Sequence, residues 1–374
     1  MGGTAIRRIA VMTGGGDAPG LNAVIRGVAK TAMATFGWDV LGVRDGGEGL
    51  LASEFQPLSP EHIRGIAARG GTILGTTNRG NPFSYPVTEN GQSRLVDRSH
   101  EAVENLRRQR IDALVAIGGD GGLRIAHRLA GLGVNVVGVP KTIDNDLLAT
   151  DKTFGFETAV QTATDALDKI ETTAEAHHRV MVVEVMGRDA GWIALHSGIA
   201  GSANVILIPE IPFDTDVVAT FVAGRRARKK TYTIVVVAEG AHPVGEKQVF
   251  LEVDERTGIR RLGGVGNEVG KRIALKTGLE TRVTILGHIQ RGGSPTAADR
   301  VLATRYGVAA AHIAHEGKFD QMVALKGRDI TSVPLSEVTR GLKLVEAGCQ
   351  VVKTARDLGV CFGDVVPSLV ATEA

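Results

Sequence analysis

The chain has 374 residues, long enough for two α/β-sized domains, and 43% of them are hydrophobic against 22% charged, which excludes wholesale disorder. A formal net charge of +2 argues against a global nucleic-acid or acidic-membrane footprint. Two cysteines, Cys349 and Cys361, cannot make a disulfide framework, and no Cys/His spacing resembles a zinc site.

No run of about 18 apolar residues suggests a membrane span. The opening segment lacks the apolar core of a signal peptide, and Ile6 and Arg7 stand where a myristoylation signal wants serine or threonine. The expectation is a reduced, cytoplasmic protein without nucleic-acid or membrane partners. Glycine is the outlier: 49 of 374 residues, about 13%, against about 7% on average, pointing to many tight turns and close backbone approaches.

In chain order, short β-branched runs end in unusual turns. Ile9–Thr13 leads into Gly14-Gly-Gly-Asp-Ala-Pro-Gly20, after which Leu21, Val24, Ile25 and Val28 fall at helical spacing, with Pro19 suited to an early helical position. Asn81–Glu101 is polar, proline-containing and aperiodic, and reads as a surface excursion. Ala113–Ile117 leads into Gly118-Gly-Asp-Gly-Gly122, and Val134–Val139 into Pro140-Lys-Thr-Ile-Asp-Asn-Asp146. Such nearly continuous apolar runs fit buried parallel strands. A polar helix around Thr158–Glu175 precedes a second series of strands at Val180–Val185, Val205–Ile208, Ile234–Ala238 and Val283–Leu286. Strand, glycine turn and helix repeat, so the class is α/β with mostly parallel sheets.

Ligands of open α/β sheets bind beyond the C-terminal strand ends, where the unusual residues sit. Gly14–Gly20 offers backbone N–H groups to an anion, although a tight strand-to-helix turn reads equally well. The loop is neither a Walker A motif nor the dinucleotide fingerprint. Gly118–Gly122 surrounds one carboxylate with glycines, which suits a phosphate–Mg²⁺ pair better than it suits an Asx turn. Pro140–Asp146 concentrates a cation, a hydroxyl and two carboxylates. If extended, it puts Thr142, Asp144 and Asp146 on one face, where a carboxylate could accept a hydroxyl proton.

Met186–Gly191 and Leu286–Pro295 repeat the pattern of charges on glycine turns. Arg188, Arg282 and Arg291 are candidates to clamp an anionic substrate, each also readable as a solvated surface residue. Glu239 could accept from sugar hydroxyls, with a surface ion pair as the competing reading.

Together these segments resemble the phosphofructokinase family over nearly the whole chain. The resemblance rests on TGGGDAPGLNAVIRG at 13–27, IGGDG at 117–121, PKTIDND at 140–146, VEVMGR at 183–188 and LGHIQRGGSP at 286–295, in matching order and spacing. It implies two Rossmann-like three-layer domains. The larger, donor-binding one spans 1–155 plus about 290–340, and the smaller, sugar-phosphate-binding one spans about 156–289 plus 341–374.

The resemblance further implies phosphoryl transfer to the 1-hydroxyl of fructose 6-phosphate. Gly15, Gly16, Gly119, Asp120, Gly121, Gly122 and Lys141 would line the donor site, with Arg79 and Phe83 beside the nucleotide and Asp120 as Mg²⁺ ligand. Asp144 would be the base, flanked by Thr142 and Asp146. Met186, Gly187, Arg188, Glu239, His288 and Arg291 would form the sugar-phosphate pocket, Arg188 with a catalytic part. Arg179 and Arg282 match positions that reach in from a neighbouring subunit, implying a homo-oligomer, dimer or tetramer, with shared sites.

The chain also departs from the family pattern. Gly14 stands where many relatives have serine or alanine, and Gly122 where many have serine or threonine. Lys141 matches diphosphate-using relatives, whereas Gly121 matches ATP-using ones, because aspartate there would occupy the space and charge of the α-phosphate. The expected donor is ATP, with diphosphate as the alternative. A non-catalytic nucleotide or sugar-phosphate sensor is the reading from another class, and a Rossmann dehydrogenase a poorer third. Arg26 and Lys30 share a helix face and match an effector site of allosteric relatives, to which the basic run Arg225–Lys230 could add. A solvated basic face explains them as well.

Overall fold

The computed structural model describes residues 6–89, 92–246, 248, 250–253 and 260–367; the opening Met1-Gly2 stretch lies outside them. The chain divides into two compact units, Met1–Glu157 with Arg291–Leu342, and Thr158–Gln290 with Lys343–Ala374.

The first unit begins β1 (Arg8–Thr13), α1 (Leu21–Phe36), β2 (Asp39–Val43), α2 (Gly47–Ala52), β3 (Phe55–Pro57), β4 (Tyr85–Glu89), β5 (Gln92–Val96), α3 (Ser99–Arg108), β6 (Ala113–Gly118), α4 (Asp120–Gly131) and β7 (Val136–Pro140). Helix α5 (Phe156–His177) crosses the division. The second unit continues with β8 (Val180–Val185), α6 (Trp192–Ala200), β9 (Val205–Leu207), α7 (Thr215–Ala227), β10 (Thr233–Ala238), β11 (Phe250–Val253), β12 (Arg260–Leu262), α8 (Val265–Thr277) and β13 (Thr281–Ile285). The chain then returns to the first unit through α9 (Ala297–His315), β14 (Gln321–Lys326), β15 (Asp329–Pro334) and α10 (Leu335–Val338), and ends on α11 (Gln350–Asp357) in the second.

In the first unit, seven strands form one sheet in the order β15-β14-β7-β6-β1-β2-β3. Its pairings are parallel except at the two edges, β2–β3 and β14–β15. Central strands are buried on both faces, which explains their unbroken apolar sequences. Ile9, Val11, Val115 and Val137 pack on one face with α1 and α9, and Ala10, Leu114, Ala116 and Val136 pack on the other with α3 and α4. That makes three layers. Helices α1 and α9 approach closely because Gly27 and Gly307 meet: an added Cβ would stand 2.9 Å from the Thr304 carbonyl at Gly27 and 2.4 Å from the Val24 carbonyl at Gly307. In the second unit, four parallel strands run β13-β8-β10-β9, with Val182, Val205, Val235 and Val237 packed against Phe221 and Val269 of α7 and α8.

The expected strands are present within two residues of their ends. Two local expectations are corrected. Part of the surface excursion is an antiparallel hairpin, β4 pairing with β5 in register from Tyr85↔Val96 to Glu89↔Gln92. Its half-buried face is short, with Tyr85 packed on the core and Val87 alternating with exposed Pro86 and Thr88, too brief a pattern to stand out in the sequence. Pro19 is not an early helical residue, since α1 is capped by Gly20 and starts at Leu21. Among the described residues, no helix is long and apolar enough to cross a membrane.

Candidate active site

Strand β1 lies between β2 and β6, so the connections after β1 and β6 diverge and leave a crevice at their C-terminal ends. Thr13 is registered with Ile117, and Gly14 N–H donates to the Ile117 carbonyl at 3.0 Å. Both glycine loops therefore leave the sheet side by side. Gly15 N–H donates to the Thr77 carbonyl at 3.1 Å, and the Thr76 hydroxyl donates to the Gly15 carbonyl at 2.6 Å. This fixes the Thr76–Gly80 loop, with exposed Arg79, next to Gly15.

Asp120 is the first residue of α4, and its carboxylate lies at a helix end whose unpaired N–H groups favour anions. An added Cβ at Gly121 would meet nothing within 4 Å, and one at Gly122 only the Gly14 carbonyl at 3.9 Å. The floor between Asp120 and the first glycine loop is open backbone. Arg124, one turn on, donates from Nε to both Asp120 oxygens at 3.0 Å. Phe83 has one ring face covered by the Arg128 guanidinium, 3.7 Å from the ring centre.

Lys141 bridges to β6 through its N–H to the Gly118 carbonyl, and its buried ammonium donates to the Gly16 carbonyl at 2.5 Å. Burial pulls its pKa down to about 8, with the positive charge of Arg291 acting in the same direction and Asp17, Asp144 and Asp146 opposing. Arg291 donates to the Asp17 carbonyl at 3.3 Å and stands beside Gly16. It therefore belongs with the glycine loop of the first unit.

Pro140–Asp146 is not extended, so a period of two does not put Thr142, Asp144 and Asp146 on one face. Asn145 adopts the left-handed conformation at φ 51°, which Asn tolerates better than most residues. Its side-chain amide oxygen accepts from Thr153 N–H at 3.0 Å, the Thr153 hydroxyl donates to the Thr142 carbonyl at 2.7 Å, and Asp144 N–H donates to the Thr142 hydroxyl at 3.0 Å. These bonds hold the half-buried Asp144 and Asp146 in a fixed turn at the same strand ends as the glycine loops. Asn145 and Thr153 do this without having been singled out in the sequence; an Asn between two acidic residues was the only signal.

In the second unit, β8 and β10 end in register at Val185 and Ala238. Glu239 N–H donates to the Val185 carbonyl at 2.9 Å and Gly240 N–H to the Gly187 carbonyl at 3.1 Å, locking the Met186–Arg188 turn against Glu239–Gly240. A Cβ at Gly240 would stand 1.9 Å from the Arg188 carbonyl, so only glycine fits. Buried Gln290 accepts from Met186 N–H at 3.3 Å and was missed as a positioning residue, although it lies inside the 286–295 motif. Arg188 and His288 are exposed. Glu184 is buried and accepts from Gly264 N–H at 3.1 Å and Gly266 N–H at 2.7 Å, capping the start of α8, while burial raises its pKa.

Arg179 and Arg282 come together: both reach Glu280, at 2.8 and 2.7 Å, Arg179 from just before β8 and Arg282 from the neighbouring β13. Hydrogen bonding from Arg179 lowers the Glu280 pKa. In the first unit, Arg26 and Lys30 line a largely apolar cleft of about 480 Å³ with Met33, Pro60, Ile63 and Arg64. Among the described residues, no three His, Cys, Asp or Glu gather as a metal site. A single carboxylate at an anion-binding loop does fit Mg²⁺, which commonly takes one or two carboxylates and completes its shell with water and phosphate oxygens.

Residues 8–314 match the Phosphofructokinase family. ATP-dependent 6-phosphofructokinase 2 of Clostridium perfringens is 50% identical over 96% of this chain and 99% of its own length. Pyrophosphate--fructose 6-phosphate 1-phosphotransferase of Amycolatopsis mediterranei is 52% identical over 90% of this chain and 96% of its own. The T-state crystal structure of Pichia pastoris phosphofructokinase superposes with a TM-score of 0.78 at 32% identity, covering 90% of this chain and 36% of that longer one. With the family matched across most of its length and relatives at half identity end to end, the chain belongs to the phosphofructokinase family.

Proposed function

We propose that the chain transfers the terminal phosphoryl group of ATP to the 1-hydroxyl of D-fructose 6-phosphate, giving ADP and fructose 1,6-bisphosphate. The single observation carrying the donor choice is Gly121, where the helix end beside Asp120 presents open space and no second carboxylate. A nucleotide's α-phosphate meets neither a clash nor like charge there. Relatives named ATP-dependent 6-phosphofructokinase, 50% identical over 96% of this chain, support the same donor, while relatives of similar identity named for pyrophosphate stand behind the alternative.

In this reading the Gly14–Gly16 and Gly119–Gly122 amides and the α4 N-terminus orient the donor phosphates, and Lys141 neutralises them from below. Asp120 would hold Mg²⁺, which when bound offsets phosphate charge and fixes the terminal phosphoryl group. Asp144, held by the Thr142 hydroxyl, accepts the proton of the attacking hydroxyl. Arg188, Glu239, His288, Met186 and Gly187 would receive the sugar phosphate, together with Arg291. Arg179 and Arg282 would serve a neighbouring subunit's site, which makes a homo-oligomer part of the function.

Diphosphate is the second reading, favoured by one observation: a buried ammonium held against Gly16 can neutralise a donor that lacks nucleoside contacts. A coupled assay of fructose 6-phosphate phosphorylation, run with ATP and with diphosphate at equal concentration, decides. Faster turnover with diphosphate overturns the ATP assignment, and no turnover with either leaves only a sensor.

A further inference from the structure

We infer that Arg124 is a donor-positioning residue that exchanges partners, neutralising Asp120 while the site is empty and moving onto the donor's phosphates when Asp120 turns to the metal. The inference rests on the proposed reading of Asp120 and the donor site. Three observations carry it.

First, the pair is formed by one atom of the guanidinium. Nε–H is shared between both carboxylate oxygens at 3.0 Å, and the two Nη groups engage no described residue. Their four N–H donors suit a phosphate as well as a carboxylate. Second, Arg124 competes for the same oxygens that a metal would need. The Nε–H takes one of about two lone-pair sites on each oxygen, so a divalent ion on the remaining sites stands as a like charge beside the guanidinium and weakens its hold on Asp120. Third, the displaced group has somewhere to go. Of the three residues that separate the pair along α4, Gly121 and Gly122 carry no side chain and an added Cβ on either would meet almost nothing, while the Leu123 side chain is buried in the core, so the surface from Arg124 to the helix end is open. The Arg124 side chain is 48% exposed and that of Asp120 29%, so the guanidinium is free to swing.

An ordinary i, i+4 surface pair would only tighten α4. The exchange makes a different demand, because it gives Arg124 opposite effects on two ligands. It opposes the metal at Asp120 and assists the polyphosphate. Arg124→Gln separates them. Titration of nucleotide-free protein with Mn²⁺, followed by the loss of the free-ion electron spin resonance signal, should show binding tightened about two- to fivefold, the range expected for removing an exposed ion-pair partner. The KM for ATP should rise about tenfold, the scale of one charge-assisted hydrogen bond lost. Arg124→Lys should recover part of the ATP affinity.

Weakening of both ligands together would show a purely structural role and overturn the exchange, as would no change in either. Wild-type turnover with ATP or diphosphate, measured alongside, keeps the two ideas apart. Turnover present without the opposed pattern sinks the Arg124 inference alone, and turnover absent sinks the proposed function with it.

Discussion

The ammonium of Lys141 donates to the carbonyl oxygen of Gly16 across 125 residues of sequence, and this bond ties the end of β7 to the first glycine loop. Its buried charge lies against the glycine loop where the donor phosphates are proposed to sit. The folded pKa of about 8 lies below the ordinary value of 10.5. The charged form therefore prevails below about pH 8, and the attraction for phosphate is lost as pH rises through that value. We expect kcat/KM for the donor to fall across this range, and Lys141→Met to lose that limb while binding donor more weakly at neutral pH. A profile unchanged in the variant would place the titration elsewhere. For stability the sign reverses: between about 8 and 10.5 the unfolded chain holds the proton more tightly, so this group's contribution to stability rises with pH.

Gly121→Asp should leave the melting temperature within a few degrees, because the new Cβ enters open space at a helix end where aspartate is well tolerated. The KM for ATP should nevertheless rise about tenfold or more, since a second carboxylate would stand where the nucleotide's phosphates are proposed to lie. Steady-state kinetics with both donors measure this. Unaltered ATP kinetics would remove position 121 as the donor determinant.

Asp144→Asn keeps the backbone bond to Thr142 and nearly the same volume, but a carboxamide cannot take a hydroxyl proton. The expectation is a fall in kcat of about two to four orders of magnitude with sugar-phosphate binding retained by calorimetry. Near-normal kcat would discard Asp144 as the base.

Gly240→Ala forces a methyl group toward the Arg188 carbonyl, 1.9 Å from its ideal position. Backbone must move, at a cost of about 1–3 kcal/mol, and the KM for fructose 6-phosphate should rise with it. Gly131→Ala, where an added Cβ meets nothing, is the control. Equal denaturation midpoints for the two variants would contradict the packing described for the Met186–Arg188 turn.

Arg179→Ala and Arg282→Ala should each weaken sugar-phosphate binding, and each should also release Glu280 from one of its two cations. If the arginines serve a neighbour's site, mixing either variant with Asp144→Asn should restore activity in hybrid oligomers. Verified hybrids with no activity above the parents would argue for self-contained subunits.

The sequence by itself determined the class of fold, because buried parallel strands leave continuous apolar runs and their ends leave glycine and charge. It also marked the loops that carry the candidate chemistry. What sequence could not supply is which strand ends are neighbours. That β1 sits between β2 and β6, bringing Gly14 beside Gly122, depends on pairing across about 100 residues. Only tertiary structure decided that Lys141 is buried against Gly16, that Asn145 breaks the extended reading of Asp144 and Asp146 by turning left-handed, and that Arg179 and Arg282 share Glu280. The Lys141 and Arg179 contacts join residues about 100 or more positions apart, and the Asn145 dihedral is held by a side-chain bond to Thr153 eight residues on; local periodicity carries no signal for any of them.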